Sequence, residues 1–534
     1  MRRVFRNFRW WENGETQSMV VEDGRVVHRG PHEWSPSDGD VDLHGKWLMP
    51  GFVDGHCHIL PTGLMLAMLD LDGAESPGDV MQALSERDKA LGPGDWLLAI
   101  NYDQNRFRDA AHLHRRSLDQ ISSTRPILLR HVSGHASVAN TAALELAGIG
   151  PETKNPNDGE FVRDEDGELS GLLLESAHET VSSSAPRPTE AEMVEAILAA
   201  GRSMSSYGIT SAADMMTGRY DLRTELRAYT EAARRGCPIR LRLYLQWSNV
   251  LGRFAMGETE LADLESGMDA PSCRIAGIKL FQDGAIGSRT AAIYGSYAQL
   301  NAQTADASGP RPPAMRLTSR RGSHSNGMLL AGQSIYPPDE LKRRVRLAHE
   351  TGRQIAIHAI GDYAVDVVFA AYEALDAPKR HRIEHAMMMN NEQVAKMASL
   401  GIRCTMQPEF LARFGSTYLR QLGSERAASI KRFAAVREAG VRLSFSSDRP
   451  IVSGRPWVGI LAASARPNGF DPEESMPMKD GVRAYSQMSA DACEDAQDFG
   501  ELNPGQWADF QVYNVEPGVA DVNPSEVFLA GREI

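Results

Sequence analysis

Hydrophobic and polar positions alternate with two different periods along this chain. Near both ends the period is two. Ser18–Glu22, Arg25–Arg29 and Lys46–Met49 at the start, and Ala508–Tyr513 and Glu526–Ala530 at the end, are short alternating runs broken by Gly, Pro and Asn. Such runs read as antiparallel strands with one buried face. They predict a small β-sandwich domain built from both termini, residues 1–50 and 488–534. In the middle, apolar runs of strand length alternate with segments of helical period such as Pro338–Glu350 and Asn391–Leu400. Eight runs read as strands: Trp47–His58, Ile209–Asp214, Ile239–Leu245, Ile275–Gln282, Gln354–Ile360, Arg382–His385, Ile402–Gln407 and Arg442–Asp448. Eight strand–helix repeats predict an α/β fold, a (β/α)8 TIM barrel over residues 51–487.

Two stretches do not fit eight simple repeats. Residues 72–185 fall between the first two strands and carry a strand (Ile127–His131) and a helix (Thr141–Ala147) of their own. They read as an inserted lid domain. Asn301–Asn326 is rich in Ser, Arg, Gly and Pro and reads as a loop beside the barrel mouth.

Composition narrows the picture. With 534 residues the chain is too long for one ordinary compact domain, and 42% hydrophobic with 24% charged residues is soluble globular material. A formal charge of −13 argues against nucleic acid and anionic membrane surfaces, which need basic patches. A basic start, Met1 to Trp10, is followed by no apolar signal core, and no run approaches the roughly 20 apolar residues of a membrane span. Five cysteines, at 57, 237, 273, 404 and 493, show no pairing pattern; an odd, sparse set fits a reducing cytoplasm. The expected partner is a small-molecule substrate, and a barrel of this size is compatible with a homodimer.

Candidate chemistry collects at the strand ends. In Pro50–His58, His56 and His58 are two residues apart and face the same side of a strand, at the end where such barrels place their sites. Alternation turns Cys57 the other way. A lone His-x-His pair is weak evidence. Later strands strengthen it. The fourth carries Lys279 in an apolar run, where a free ammonium is costly; the fifth carries His358, the sixth His385, and the eighth ends at Asp448. Beside these, Asp283 reads as a partner of the site or a turn residue. Glu384 and Arg382 read as a structural ion pair. Tyr102 and Asp103 in the insert are candidates for a pocket wall.

The chain resembles the amidohydrolase superfamily, and within it the branch called amidohydrolase family 3, which includes N-substituted formamide deformylases. The resemblance runs from about Lys46 to about Tyr513. It rests on PGFVDGHCH, HVSGHASVANTAALELAGI, GITSAAD, IKLFQDGAIGSRTA, IAIHAIGDYAVD, HRIEHA, TMQPEF, SFSSDRPI and GQWADFQVYN, in that order. Cys57 and the Arg449–Pro450 pair depart from the family's usual residues. The resemblance implies a metal centre. His56 and His58 would bind a buried metal, and His358 and His385 a more exposed one. Lys279, carboxylated on its ε-nitrogen, would bridge both. Asp448 would touch the buried metal and shuttle protons. Such a donor set suits Zn²⁺, with Mn²⁺, Co²⁺ or Fe²⁺ also fitting. The implied reaction is hydrolysis of a non-peptide C–N bond (amide, formamide, carbamate or cyclic amide) by a metal-bound hydroxide. His135, Asp283 and Tyr102 would contact substrate. Ester or lactone hydrolysis, deamination, or a non-catalytic binding protein on the same barrel are the alternatives.

Overall fold

The computed structural model describes residues 2–31, 39–134, 136–156, 159–298, 329–519 and 521–534. These fall into two compact units. Among the described residues, the first contains 2–62 and those from Met193 onward; the second begins at Gly63 and ends at Glu192.

Eight parallel strands form the centre of the first unit: β1 (Phe52–Cys57), β2 (Ile209–Thr217), β3 (Arg240–Gln246), β4 (Cys273–Phe281), β5 (Gln354–Ala359), β6 (Arg382–His385), β7 (Arg403–Met406) and β8 (Arg442–Phe445). They pair in sequence order from β1 to β8. The two edges meet beyond β8, where Asp448 N donates to His56 O at 2.7 Å and Ser447 N donates to the Asp54 carboxylate at 3.0 Å. This is the barrel that the strand–helix alternation predicts. Strand interiors are almost wholly buried, as in parallel strands covered on both faces.

The helices between strands show why the sequence folds locally as it does. Asn391–Leu400 has a complete capping box, Asn390 and Gln393 exchanging side-chain and backbone hydrogen bonds, and stops at Gly401 with φ 64°. Pro338–Glu350 begins on a proline and buries Leu341, Val345 and Ala348 along one face.

The run Trp47–His58, predicted as one strand, is two. Trp47–Pro50 pairs with Phe510–Tyr513 in the terminal sheet, and β1 starts at Phe52. The break falls at Gly51, where a Cβ would lie 2.2 Å from Thr210 Oγ1. Only glycine allows the chain to pass so close to β2.

The termini make an eight-stranded sheet around Phe5, Phe8, Phe510 and Phe528. Its first strand, Arg2–Trp10, is absent from the sequence reading. It carries a register shift between Phe5 and Phe8, with Asn7 at φ 56°, and this bulge hides the alternation. Arg240 at the start of β3 grips Asp509 through two hydrogen bonds of 2.6 and 2.9 Å, both side chains buried. This pair ties the terminal sheet to the end of the barrel opposite the candidate site.

The second unit has its own six-stranded sheet, in the order Gly159–Arg163, Leu169–Glu175, Ala136–Ala139, Ile127–His131, Leu97–Tyr102 and Leu69–Asp70. Its core includes Val80, Leu84, Leu97, Leu118, Ile127 and Tyr102. Tyr102 departs from the sequence reading. Its ring has no exposed surface, and its hydroxyl accepts a hydrogen bond from Leu113 N at 2.8 Å. That is a core residue of the insert, not a pocket wall. Tyr102→Phe should therefore lower stability by about 1–3 kcal/mol, the cost of orphaning a buried N–H, with kcat and KM unchanged. A rise in KM without loss of stability would return Tyr102 to the pocket.

Candidate metal centre

Each ligand predicted from the sequence stands at the C-terminal end of a barrel strand. His56 lies in β1 and His58 just beyond it; Lys279 lies in β4, His358 in β5, His385 ends β6, and Asp448 follows β8. Ring centroids of His56 and His385 are 4.9 Å apart, those of His358 and His385 4.4 Å, and those of His56 and His58 5.6 Å. Asp448 Oδ1 lies 2.8 Å from His58 Nε2 and 3.5 Å from His56 Nε2. Lys279 Nζ lies 3.5 Å from His56 Nε2. His56, His385 and Asp448 each offer a donor atom within 4.8 Å of the others. The sequence-predicted set is thus brought together at one barrel mouth.

The backbone is strained at this spot. His385 has φ 72°, Ala386 φ 39° and Asp448 φ 62°. Left-handed conformations are uncommon outside glycine, though histidine and aspartate tolerate them better than most. Such outliers gather at functional sites, where surrounding structure holds them in place.

Three of the four histidines are oriented by a hydrogen bond from the ring nitrogen that faces away from the others. His56 Nδ1 donates to Glu384 Oε2 at 2.6 Å, His385 Nδ1 to Gln407 Oε1 at 2.7 Å, and His358 Nε2 to Gly284 O at 3.1 Å. Each bond fixes a neutral tautomer with its lone pair on the other nitrogen, the form that binds metal. Burial, reinforced by the charge of Lys279, pushes His56 down to about 4 and His358 down to about 3. His385 is held well below its usual range by burial and by its neighbours His358 and His56.

Lys279 is 1% exposed, and among the described residues no carboxylate lies within ion-pairing distance of its Nζ. Burial lowers its pKa to about 8. Asp448 is held below its usual range: burial raises it, but His56, His58 and Lys279 outweigh burial. Its Oδ1 is buried with the rings of His58 and His56 beside it, and His58 Nδ1 is buried with no hydrogen-bond partner among the described residues. Such an orphaned atom is rare in native interiors. Nitrogen and oxygen donors converging here fit a divalent cation.

A sequence profile of the amidohydrolase family matches residues 40–534. The chain belongs to the amidohydrolase family. It is 30% identical over 97% of its length to amidohydrolase YtcJ of Bacillus subtilis, covering 94% of that protein. It is 25% identical over 95% of its length to the N-substituted formamide deformylase of Arthrobacter pascens, covering 91% of it. The crystal structure of an uncharacterized metal-dependent hydrolase from Pyrococcus horikoshii superposes with a TM-score of 0.75 at 26% identity, over 98% of this chain and 99% of that one.

Other residues of this amidohydrolase fall differently from the sequence reading. Asp283 is 2% exposed, and its carboxylate accepts from the backbone N–H groups of Ala292, Ile360 and Gly361 at 2.8–3.0 Å. It braces the turn after β5, 3.5 Å from His358, and has no surface to offer a substrate. Burial pushes it up to about 7. Cys57 is turned toward Ala213 O, and burial raises its thiol well above the usual range, so it is no nucleophile. All five cysteines are free and buried. Arg382 and Glu384 do form a buried ion pair, at 2.5 Å. Burial opposes ionisation of Glu384, but Arg382 holds it down at about 2, so it meets His56 as a carboxylate. His135 and the Asn301–Asn326 stretch lie outside the described residues. Among the described residues, no helix is long and apolar enough to cross a membrane.

Two residues beside the site escape a reading of the sequence. Gln407 holds His385, as above, and Lys431 Nζ donates to the same Gln407 oxygen at 3.4 Å. Gln407 lies one residue past β7, a strand that carries no ligand. Lys431 lies in a loop with no motif around it. Only the polar Gln at the end of an apolar strand offers a signal.

Proposed function

We propose that this amidohydrolase cleaves a non-peptide C–N bond (amide, formamide, carbamate or cyclic amide) in a small organic molecule, with one or two divalent metals, zinc foremost. The observation that carries the reading is the convergence of four histidines, one carboxylate and one buried lysine that, among the described residues, has no carboxylate within ion-pairing distance. His56, His58 and Asp448 would hold one metal and His358 and His385 the other. Lys279 would serve both after its neutral amine adds to carbon dioxide, forming an N–C bond and releasing one proton. That step converts a costly buried cation into an anionic oxygen donor. A divalent metal there supplies Lewis acidity, which acidifies water and polarises a carbonyl oxygen.

The chain's own residues do the rest. Asp448 is ionised at neutral pH and can accept a proton from the attacking water, then return it to the departing nitrogen. Glu384 and Gln407 keep His56 and His385 in their metal-binding tautomers. The deformylase relative supports the C–N reading, since deformylation of an N-substituted formamide cleaves a bond of that class.

Purified active protein should carry up to two transition-metal ions per chain by elemental analysis. Metal-replete enzyme should turn over at least one member of a panel of formamides, anilides and carbamates. Active protein free of transition metal would sink the metal reading. Turnover of esters alone would replace the C–N reading with an esterase.

A further inference from the structure

Lys431 has no exposed surface, and among the described residues no carboxylate lies within ion-pairing distance of it. An uncompensated buried ammonium is costly, so a lysine kept there calls for a reason. Its place is tightly fixed. Lys431 N donates to Met387 O at 2.8 Å, Arg466 donates to Lys431 O at 2.7 Å, and the backbone adopts φ 50°. The ammonium lies 5.1 Å from the Phe410 ring centre and points at one hydrogen-bond acceptor, Gln407 Oε1.

Gln407 has two ends of opposite character. Its oxygen accepts from His385 Nδ1 at 2.7 Å and from Lys431 Nζ at 3.4 Å; its NH₂ donates to Ser446 Oγ at 3.0 Å and reaches Thr405 O at 3.5 Å. A glutamine amide can rotate by half a turn with little change of shape. Rotated, it would set its NH₂ against His385 Nδ1 and reverse the tautomer, moving the ring proton to Nε2 and removing the lone pair that faces the other histidines. Ser446 does not prevent this, because a hydroxyl can donate as readily as accept; the Thr405 carbonyl, which can only accept, opposes it from the far end of a 3.5 Å contact. Lys431 opposes it in its charged form: an ammonium only donates, so rotation would put an NH₂ group against NH₃⁺, and burial, which lowers Lys431 to about 7, leaves that form populated at neutral pH and dominant below it.

We propose that Lys431 is a positioning residue for the metal centre: it locks the Gln407 amide so that its oxygen faces His385, which fixes the proton of His385 on Nδ1 and keeps Nε2 free to bind metal. The inference rests on the metal-centre reading above. It explains a lysine here better than packing does, since Met would fill the same space without a buried charge.

The test uses the full-length protein, stripped of metal and titrated with Co²⁺ against a competing chelator. Lys431→Met keeps the volume and removes the donor. It should weaken Co²⁺ binding by about 10–100-fold, the usual scale for a lost partner behind a ligand, and alter the visible Co²⁺ spectrum. Lys431→Arg keeps a donor-only cation and should restore much of both. Gln407→Glu, which accepts on both faces and cannot present an NH₂, should make the Lys431→Met change nearly silent when the two are combined. A purely structural lysine predicts another pattern: loss of melting temperature in Lys431→Met with wild-type Co²⁺ affinity and spectrum. That result, or an effect undiminished by Gln407→Glu, overturns the proposal. Wild-type protein that binds no Co²⁺ at all would instead defeat the metal-centre reading.

Discussion

Asp448→Asn should lower kcat by about 10²–10⁴, the usual contribution of a positioned general acid–base group, while changing metal content far less. The substitution is close to isosteric, and asparagine tolerates a left-handed backbone as well as aspartate does, so φ 62° at this position adds no new strain. One oxygen remains to meet a metal. What is lost is the basic oxygen. The wild-type carboxyl is held below its usual range because His56, His58 and Lys279 outweigh burial. It is therefore ionised at neutral pH and becomes protonated only as the pH falls. The wild-type rate should decline on the acidic side through an ionisation that belongs to the coupled site and not to Asp448 alone; Asp448→Asn should shift or abolish that limb. His358→Ala or His385→Ala should behave otherwise, losing metal and activity together. Wild-type kcat in Asp448→Asn with metals bound would reduce Asp448 to a strand-end ligand.

The contrast between Asp448 and Lys431 shows what a sequence discloses about such a site. Asp448, Lys279 and the four histidines sit at the ends of apolar strands, where a polar residue is conspicuous, and barrel geometry brings all strand ends together. Local pattern plus topology therefore suffices for the ligands. The residues behind them are placed by packing between elements. Gln407 reaches across from β7 to a ligand on β6, and Lys431 comes from a loop whose backbone is pinned by Met387 and Arg466. No periodicity encodes such contacts. The same limit explains Tyr102 and Asp283. Asp283 lies within a motif and Tyr102 in the insert away from any, but their surroundings are set by the turn at Ala292 and Gly361 and by the core of the insert. The continuous strand-like run Trp47–His58 likewise conceals that its two halves belong to different sheets. Glu384 shows a partial success: its pairing with Arg382 follows from proximity along β6, but its grip on His56 reaches across the barrel to β1, which is not a neighbour of β6 in the sheet.

Lys279→Ala should abolish measurable activity and lower metal content, and short-chain carboxylic acids should restore part of both. Lys279 is 1% exposed inside a strand whose neighbours are apolar, so truncation leaves a cavity lined by the ligands themselves. Acetate or propionate is small enough to enter it and offers the two oxygens that a carboxylated lysine would have supplied. Lys279→Met separates this role from packing. It fills the same space and removes a buried ammonium that has no ion-pair partner among the described residues, so it should fold at least as stably as the wild type when both lack metal. It leaves no cavity, however, and added acids should not rescue it. The wild type carries a further signature. Growth or reconstitution with ¹³C-bicarbonate should place a carbamate carbon on the chain, and Lys279→Met should lack it. Carboxylation needs the neutral amine, and burial lowers Lys279 to about 8. Reconstitution of the apoprotein should thus speed up as the pH rises toward that value and slow when dissolved carbon dioxide is removed. Full activity and metal content in Lys279→Ala without any added acid would show that the lysine bridges nothing, and the metals would then have to be held by His56, His58, His358, His385 and Asp448 alone.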